Sequence, residues 1–482
     1  MGAGESTMTA TIPQFRQSAF IAIEDVRLQT ALEGATGRFR DARAAALAEL
    51  PAADAMRDHL KTARANTLAN LAEHLETFER NAIANGTQVH WARNAAEARQ
   101  IVLDIAKKHG VTMAAKSKSM ATEEIHLNQA LKEAGIDPVE TDLGEWIVQL
   151  AEEPPSHIIA PAIHKTKEQV ADLFTQEAGR PIPADIPTLT AEARRMLRAK
   201  FLAAGMGISG GNLGVAETGS IVLVTNEGNG RMVTSLPPVH VAVMGIEKIA
   251  PTWDVATVWL SLLARSATGQ PLSIYTSIVT GPARPAPRPL SSKQERGVLP
   301  PLLPGEGWGE GDVDGPREVH IVLLDNGRSK LIGTTYEEVL QCIRCGACLN
   351  ACPVYREAGG HAYGSPYSGP IGAVISPLLY GLEEYSALPQ ASSLCGACKD
   401  VCPVRIDLPR MLIELRTEEV QRGLLPWWEA AAERGAAMML GNETLMKVGM
   451  GFGRVGQGIM PKDLPRLAKK SFRKMWEDNS NW

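Results

Sequence analysis

The chain has 482 residues, of which 44% are hydrophobic and 21% are charged, and its formal net charge is −5. This length allows two or three domains, and the composition is that of an ordinary soluble protein. The small negative charge gives no reason to expect a nucleic-acid partner. Neither a secretory signal nor a spanning helix is recognisable, so a cytoplasmic location is expected.

The N-terminal part of the chain is predicted to be helical. Residues 14–85 are rich in Ala, Leu, Arg and Glu, and apolar residues recur at helical spacing between Arg64 and Leu75. We interpret residues 1–60 as a helical entry segment and residues 61–335 as an α/β domain.

Short β-rich runs then alternate with helical runs. The β-rich runs are residues 87–91, 111–115, 136–141 and 156–161, and the helical runs are residues 95–108, 122–134, a helix that begins at Thr166, and residues 190–204. Strands that alternate with helices predict a parallel sheet in a three-layer α/β domain.

A glycine-rich stretch follows from Gly207 to Arg231, which indicates a loop with sharp turns before further strands. Such turns are typical of a ligand-facing rim or of simple hairpins. Two matches to G-x-G-x-x-G, beginning at Gly205 and Gly451, each follow a helical run rather than a strand. Neither therefore predicts dinucleotide binding.

Several motifs in this part of the chain resemble the lactate-utilisation (LUD) family. They are Met120–Asn128, Glu140–Glu145, Pro161–Thr166 and Ala216–Val222. The resemblance extends over most of residues 60–335. It implies an α/β LUD domain similar to the sugar-isomerase and CoA-transferase superfamily.

These motifs contain polar residues that are unusual for a pure scaffold. The candidates for a ligand pocket are Glu217, His126, His164 and Lys165, together with Asn128, Asn226, Arg231 and His240. Because a fold resemblance does not assign chemistry, the catalytic residues stay unknown, and capping, turns and surface ion pairs are the alternative. Glu217 is the first of these residues to test.

Residues 285–313 interrupt the domain with a proline-rich and then glycine-rich segment. We expect a surface insertion, either disordered or semi-rigid, that looks like a translated bacterial repeat element. A proline-rich ligand for a partner protein is the alternative interpretation.

The cysteines of the chain all lie near its C-terminal part. They are Cys342, Cys345, Cys348, Cys352, Cys395, Cys398 and Cys402. The pattern C-x2-C-x2-C-x3-C-P is typical of paired iron–sulfur clusters, in which the cysteine before proline binds the other cluster. Gly346 and Gly396 allow tight turns within the two motifs, and the proline after each motif is predicted to begin a helix.

Spacing predicts which cysteines share a cluster. The first set is Cys342, Cys345, Cys348 and Cys402, and the second set is Cys352, Cys395 and Cys398. The second set lacks one thiolate, and Ser392 stands where it would be. We therefore expect two [4Fe–4S] clusters, or a [3Fe–4S] cluster at the second site. A zinc site is the alternative. Disulfides are disfavoured, because no cysteine occurs elsewhere in the chain to cross-link the fold.

This cysteine module, residues 336–415, narrows the resemblance to the iron–sulfur subunit of the bacterial L-lactate oxidation complex. The 42 residues between Cys352 and Cys395 suit an α-helical dicluster ferredoxin. The resemblance implies an electron-transfer subunit, without complete activity alone, whose partners are a cysteine-rich iron–sulfur subunit and a second LUD protein.

Other functions stay open at this point. They are a related 2-hydroxy-acid oxidase, a heterodisulfide-reductase-like complex, a catalytic LUD domain and a cluster-based regulatory protein. Residues 416–482 are predicted to form a helical extension, after a helix over residues 408–422. Its basic stretch from Lys462 to Lys474 suggests a solvated helix, or else contact with a partner or peripheral contact with an anionic membrane.

Overall fold

The computed structural model describes residues 11–283, 315–425, 427–442, 444–446 and 448–449. The chain divides into two compact units, Met1–Leu415 and Arg416–Trp482, and the sites considered below lie in the first unit. Within the described ranges, no helix is both long enough and apolar enough to cross a membrane. The basic stretch at residues 462–474 lies outside the described residues.

The helices are α1 (Ile12–Glu24), α2 (Val26–Ala48), α3 (Ala53–Ala69), α4 (Leu71–Ala84), α5 (Ala95–Lys108), α6 (Met120–Glu124), α7 (Leu127–Glu133), α8 (Leu143–Leu150), α9 (Lys167–Ala178), α10 (Ile186–Ala203), α11 (Asn229–Ser235), α12 (Trp253–Thr268), α13 (Ala347–Ala351), α14 (Pro353–Ala358), α15 (Gly369–Tyr380), α16 (Ala397–Val401), α17 (Leu408–Arg422) and α18 (Trp427–Leu440). The strands are β1 (Gln88–Ala92), β2 (Met113–Lys116), β3 (Asp137–Glu140), β4 (Met206–Gly210), β5 (Leu213–Val215), β6 (Ser220–Thr225), β7 (Val239–Gly245), β8 (Ile249–Ala250), β9 (Tyr275–Val279) and β10 (Glu318–Leu324).

The main sheet has six strands in the order β1-β10-β7-β4-β2-β3, and every neighbouring pair is parallel. All seven residues of β7 are buried. Continuous apolar strands are typical of a parallel sheet that is covered on both faces. The predicted parallel α/β sheet is therefore confirmed.

Two apolar cores cover the two faces of this sheet. One contains Val102 of α5 and Leu131 of α7, and the other contains Trp146 of α8, Phe174 of α9 and Leu197 of α10. Helices α5, α8, α9 and α10 begin at residues whose side chains cap them, whereas α7 begins at His126 without a side-chain cap. The Thr166 hydroxyl, for example, accepts a hydrogen bond from the Gln169 N–H and starts α9, as its position predicted.

Within the α/β domain, the structure differs from the sequence-based prediction at three places. The predicted strand at residues 156–161 is a series of turns, in which the His157 ring accepts hydrogen bonds from backbone N–H groups. The predicted helix at residues 122–134 is broken at His126, whose φ is 50°. Both differences follow from local hydrogen bonding and backbone geometry that periodicity does not report.

The third difference is the glycine-rich stretch, which begins in a strand rather than in a loop. Gly207 lies within β4, and a Cβ atom there would meet the Val233 carbonyl oxygen at 2.0 Å. Glycine is needed at this position because α11 packs directly on the strand. Close packing therefore accounts for one glycine of the G-x-G-x-x-G match, and nucleotide binding is not required to explain it. The remainder of the stretch contributes β5 and β6 to a second sheet, of order β8-β5-β6-β9, which was not predicted.

The N-terminal helices pack between the α/β domain and the cysteine-containing helices. Helix α2 contacts α12 on one side and α13 and α14 on the other, while α3 contacts α12. The guanidinium of Arg64 on α3 is fully buried and donates to the carbonyl oxygens of Glu247, Ile249 and Leu340. The entry segment is thus part of the same packed unit as the cysteine module.

Deletion of residues 285–313, which lie outside the described residues, is expected to leave stability and cluster content unchanged. The Ala283 N–H donates to the Pro316 carbonyl oxygen at 2.8 Å, so the two flanking segments already meet. A short connection there has a small closure cost. Thermal unfolding and iron analysis of the deletion variant would check this, and a large fall in either quantity would show that the segment has a structural role.

Candidate functional site

The two cysteine motifs adopt the same backbone conformation. Gly346 and Gly396 have φ of 75° and 84°, and each stands directly before a short helix, α13 or α16. This left-handed conformation strongly favours glycine. The tight turns that were predicted at both glycines are therefore present.

The prolines that follow the motifs behave differently from each other. Pro353 is the first residue of α14, as predicted. Pro403 does not begin a helix, because the chain turns at Arg405, whose φ is 51°, before α17 starts at Leu408. The prediction of a helix at Pro403 was wrong for this reason.

The structure brings Cys342, Cys345, Cys348 and Cys402 to the wall of one cavity, which we call the thiol cavity. The other walls are mostly apolar and include Ile158, Ile343, Ile371, Val404 and Ile406. These are the same four cysteines that the spacing assigned to one cluster. Apolar walls exclude water from the sulfur atoms.

The thiols of this cavity are strongly perturbed by their surroundings. Burial and the nearby Cys402 raise the pKa of Cys345 to about 12, and burial raises the pKa of Cys402 to about 11. Burial and the neighbouring cysteines, Cys398 of the second set among them, also raise the pKa of Cys348. Four thiolates cannot share this space unless positive charge compensates them, as metal ions would.

Cationic side chains surround the thiol cavity. The Arg57 guanidinium donates to the Cys402 carbonyl oxygen at 2.8 Å, and the Arg43 guanidinium donates to the Val401 carbonyl oxygen at 2.5 Å. The Lys248 ammonium donates to the Cys342 carbonyl oxygen at 2.7 Å. The two arginines stabilise negative charge on the cysteines, whereas burial and Arg344 lower the pKa of Lys248 to about 7, so that Lys248 is only partly charged at neutral pH.

The second set of cysteines lies beside the first. Burial and Cys352 raise the pKa of Cys398 to about 12, whereas Cys395 is exposed. Hydrogen bonds from the Ala397 N–H and from Ser393 hold the pKa of Cys395 below its usual value. The Ser392 hydroxyl accepts a hydrogen bond from the Leu394 N–H at 3.1 Å.

This donor set fits iron–sulfur clusters. Cysteine thiolates are the ligands that such clusters use, and the N–H groups near the sulfur atoms match the hydrogen bonding that tunes them. The Arg344 N–H, for example, lies 3.4 Å from Cys342 Sγ. The residues present at the first site therefore supply the ligands and the dry, positively charged surroundings that a cluster needs.

A second and larger cavity, of about 290 Å³, lies at the carboxyl ends of the parallel strands, and we call it the strand-end cavity. Its lining includes residues directly after β2, β4 and β7, such as Lys118, Asn212 and Lys248. Open α/β sheets bind ligands at this edge. Ile158, Ile343 and Arg344 line both this cavity and the thiol cavity, so the two cavities share a wall.

A buried network of charges joins the sheet to the cysteine module beside this wall. Glu124 accepts hydrogen bonds from Arg328 at 2.8 and 2.6 Å and from the Tyr367 hydroxyl at 2.5 Å. Arg328 also pairs with Glu247 at 2.7 Å, and the Arg344 guanidinium lies 4.2 Å from the centre of the Tyr367 ring. Every one of these groups is therefore held by several others.

Both carboxylates of this network stay ionised despite their burial. Burial alone would raise the pKa of Glu247, but Arg328, Lys248 and Arg344 hold it at about 2. The pKa of Glu124 is likewise lowered by Arg328 and by its hydrogen bonds, against the effect of burial.

The structure does not bring the predicted pocket residues together. Glu217 is exposed, and its carboxylate accepts a hydrogen bond from the Trp253 N–H at the start of α12. His126 is exposed at the start of α7. His164 and Lys165 both pair with Glu153. Among the described residues, none of these four candidates lines the strand-end cavity.

The wider set of candidates is also dispersed. Asn128 accepts from Lys116 and donates to Glu140 at 2.8 Å, and His240 is buried against the Ser209 hydroxyl at 2.8 Å. Arg231 is exposed. Of the wider set, Asn226 lines the strand-end cavity.

Several residues at the two cavities were missed by the sequence reasoning. They are Arg43, Arg57, Lys118, Asn229, Lys248 and Arg344. Arg344 could have been found, because it lies inside the first cysteine motif. The others lie far from the motif in sequence, and no local pattern marks them.

Family models match two parts of the chain. Residues 75–290 match the LUD domain, and residues 338–406 match the 4Fe-4S dicluster domain. The second match includes all seven cysteines of the chain.

Proteins similar over nearly the whole chain are also known. Lactate utilization protein B of Bacillus licheniformis is 41% identical over 485 residues, which cover 96% of each chain. Lactate utilization protein B of Bacillus subtilis is 43% identical over 437 residues, which cover 90% of this chain and 86% of the relative. A crystal structure of a DUF162 family protein from Deinococcus radiodurans covers 53% of this chain and 98% of its own, with 13% identity and a TM-score of 0.27.

Proposed function

This chain belongs to the lactate utilization protein B family, and from that premise we propose that it is the electron-transferring iron–sulfur subunit of an L-lactate oxidation complex. The observation that carries the proposal is the thiol cavity, in which four cysteines from two separate motifs converge. The match to a 4Fe-4S dicluster domain favours iron–sulfur clusters over zinc at these cysteines.

We assign one cluster to the four cysteines of the thiol cavity and a second to Cys352, Cys395 and Cys398. Both are [4Fe–4S] clusters in this proposal, unless the missing thiolate leaves the second as [3Fe–4S]. Arg43 and Arg57 supply positive charge around the first site, which favours a more negative cluster. The chain thereby provides a place where an added electron is stabilised.

Two such sites match the electron count of the reaction. Oxidation of L-lactate to pyruvate releases two electrons and two protons, and an iron–sulfur cluster normally accepts one electron. The two sites lie close together, because α13, which carries Cys348, contacts α16, which carries Cys398. Two one-electron carriers in one subunit can therefore take up the pair and pass it on.

The proposal places this subunit in a complex in the cytoplasm. Its partners would be a cysteine-rich iron–sulfur subunit and a second LUD protein, as the family resemblance implies. The chain has no recognisable flavin or nicotinamide fingerprint, so we place the first two-electron acceptor in a partner subunit.

Growth on L-lactate tests the proposal. A strain without this protein should fail to grow on L-lactate as carbon source, and the wild-type chain should restore growth. The Cys348→Ala chain should not restore it, because Cys348 lines the thiol cavity. The Glu217→Gln chain is a matched control that should restore growth. Glu217 is exposed, and it is not among the described residues that line either cavity.

Two results would contradict this function. One is normal growth of the deletion strain when no other lactate oxidase is present. The other is full restoration of growth by the Cys348→Ala chain while immunoblots show equal amounts of both proteins.

A further inference from the structure

The strand-end cavity has the size and accessibility of a small-molecule site. Its volume is about 290 Å³, close to the lower limit for ligand pockets in proteins. Asn226, which lines it, is exposed, so the cavity reaches the protein surface there. A small metabolite could therefore enter and come to lie beside the wall that the cavity shares with the four cysteines.

Four buried polar atoms on the described residues that line this cavity lack a hydrogen-bond partner, and two of them, Glu247 Oε2 and Arg328 Nε, face each other in an ion pair at 2.7 Å. The other two are Oδ1 of Asn229, a residue that is only 4% exposed, and Nη1 of Arg344. Buried polar atoms in native proteins are nearly always satisfied, so each unpaired atom needs an explanation. One atom is an acceptor and the other is a cationic donor, and a ligand that carries both a hydroxyl and a carboxylate would satisfy them.

The charges around the cavity favour an anionic ligand. Nζ of Lys118 lies 3.9 Å from the Glu145 carboxylate, beyond hydrogen-bond distance. Nη2 of Arg344 lies 3.9 Å from Oε1 of Glu247, which is also beyond hydrogen-bond distance. These cations are therefore incompletely neutralised by their neighbours.

The carboxylates that line the cavity are already engaged. Asp142 accepts hydrogen bonds from the N–H groups of Gly144 and Glu145, and Glu227 accepts one from the Leu143 N–H. Glu247 is held by Arg328 at 2.7 Å. The cations thus keep the capacity to bind a carboxylate that enters from solvent.

We propose that the strand-end cavity binds a small 2-hydroxy monocarboxylate next to the first iron–sulfur site. Arg344 and Lys118 supply the positive charge for its carboxylate, and Asn229 Oδ1 accepts the hydrogen bond of its hydroxyl. The choice of L-lactate as that acid rests on the proposed function. A 2-oxo acid cannot donate to Asn229, so the site prefers the hydroxy acid to its oxidised product.

Equilibrium binding to the full-length protein with its clusters loaded tests this site. Under anaerobic conditions, L-lactate, pyruvate, acetate and inorganic phosphate would be titrated in a calorimeter. We expect L-lactate to bind more tightly than the other three. We also expect it to change the electron paramagnetic resonance spectrum of one reduced cluster, because the bound acid adjoins the thiol cavity.

Two variants probe separate parts of the site. Asn229→Leu removes the buried acceptor and should weaken L-lactate binding by about tenfold, and it should abolish the preference over pyruvate. Lys118→Gln removes one charge at a less buried position and should weaken L-lactate and pyruvate alike by about tenfold. Glu217→Gln should bind L-lactate as the wild type does.

Three results would overturn the proposed binding site. Absence of L-lactate binding overturns the proposal, and so does an affinity that neither Asn229→Leu nor Lys118→Gln changes while iron content stays at the wild-type level. Phosphate or acetate that binds as tightly as L-lactate also overturns it. These failures are distinct from a failure of the proposed function, which would appear as growth on L-lactate with the Cys348→Ala chain.

Discussion

Replacement of Cys345 with alanine should remove about half of the iron and sulfide from anaerobically purified protein, since each of two clusters holds a similar share. Cys345 is buried and lines the thiol cavity with Cys342, Cys348 and Cys402. The remaining lining is mostly apolar, and Arg344 within it cannot ligate a metal. No neighbour can therefore replace the lost sulfur.

The measurements are iron, sulfide and zinc analysis together with electron paramagnetic resonance of the reduced protein. The wild type should contain iron and sulfide without stoichiometric zinc, and should show two clusters of unequal character. In Cys345→Ala the signal of the four-cysteine site should disappear, and that of the second site should persist. Zinc without sulfide in the wild type would contradict the assignment of iron–sulfur clusters to these cysteines.

Ser392→Ala provides the matched comparison at the second site. The Ser392 hydroxyl accepts a hydrogen bond from the Leu394 N–H, so this hydroxyl holds the backbone turn beside it. If serine supplies no ligand, this variant should keep its iron and its spectrum. A changed signal of the second cluster alone would instead identify Ser392 as the fourth ligand.

Replacement of Glu124 with glutamine should lower the free energy of unfolding by about 3 kcal/mol, which is the cost of breaking a buried ion pair from one side. The Glu124 side chain is 0% exposed and the Arg328 side chain is 2% exposed. Glutamine keeps the size of the side chain but removes its charge. Because Arg328 still pairs with Glu247, we expect a loss of stability in the lower part of the range known for broken buried ion pairs.

Urea unfolding of the cluster-loaded protein under anaerobic conditions would measure this loss. Glu97→Gln is the matched control, because Glu97 pairs with Arg93 across one helical turn near the protein surface. Solvent screens such a pair, and its loss should change stability little. Equal unfolding midpoints for the two variants would show that the buried network does not stabilise the protein as its geometry implies.

The cysteine spacing was sufficient to predict that Cys342, Cys345, Cys348 and Cys402 lie together. Neighbouring cysteines within a motif are separated by two or three residues, so the covalent chain itself restricts the distance between them. The left-handed turns at Gly346 and Gly396 followed from the same local reasoning. Alternation of strand-like and helical runs was likewise sufficient to predict the parallel sheet, because both periodicities are local properties.

The polar residues of the LUD motifs show the limit of that reasoning. Glu217 and His126 were candidates for a pocket, yet the structure places them at the starts of α12 and α7. His164 and Lys165 meet at Glu153 instead. A polar residue in a loop can cap a helix, pair at the surface or bind a ligand, and its neighbours in sequence do not distinguish these roles.

The sequence by itself predicted which four cysteines share one cavity and the class of the fold, because both depend largely on residues close together along the chain. Only the tertiary structure decided what surrounds these cysteines. Arg43 and Arg57 reach the Cys402 end of the thiol cavity from helices more than 300 positions away in sequence. Asn229 and Arg344 meet the same strand-end cavity from two different modules. Such contacts arise when helices and sheets pack to bury apolar surface, and packing between distant segments leaves no periodic pattern in either segment.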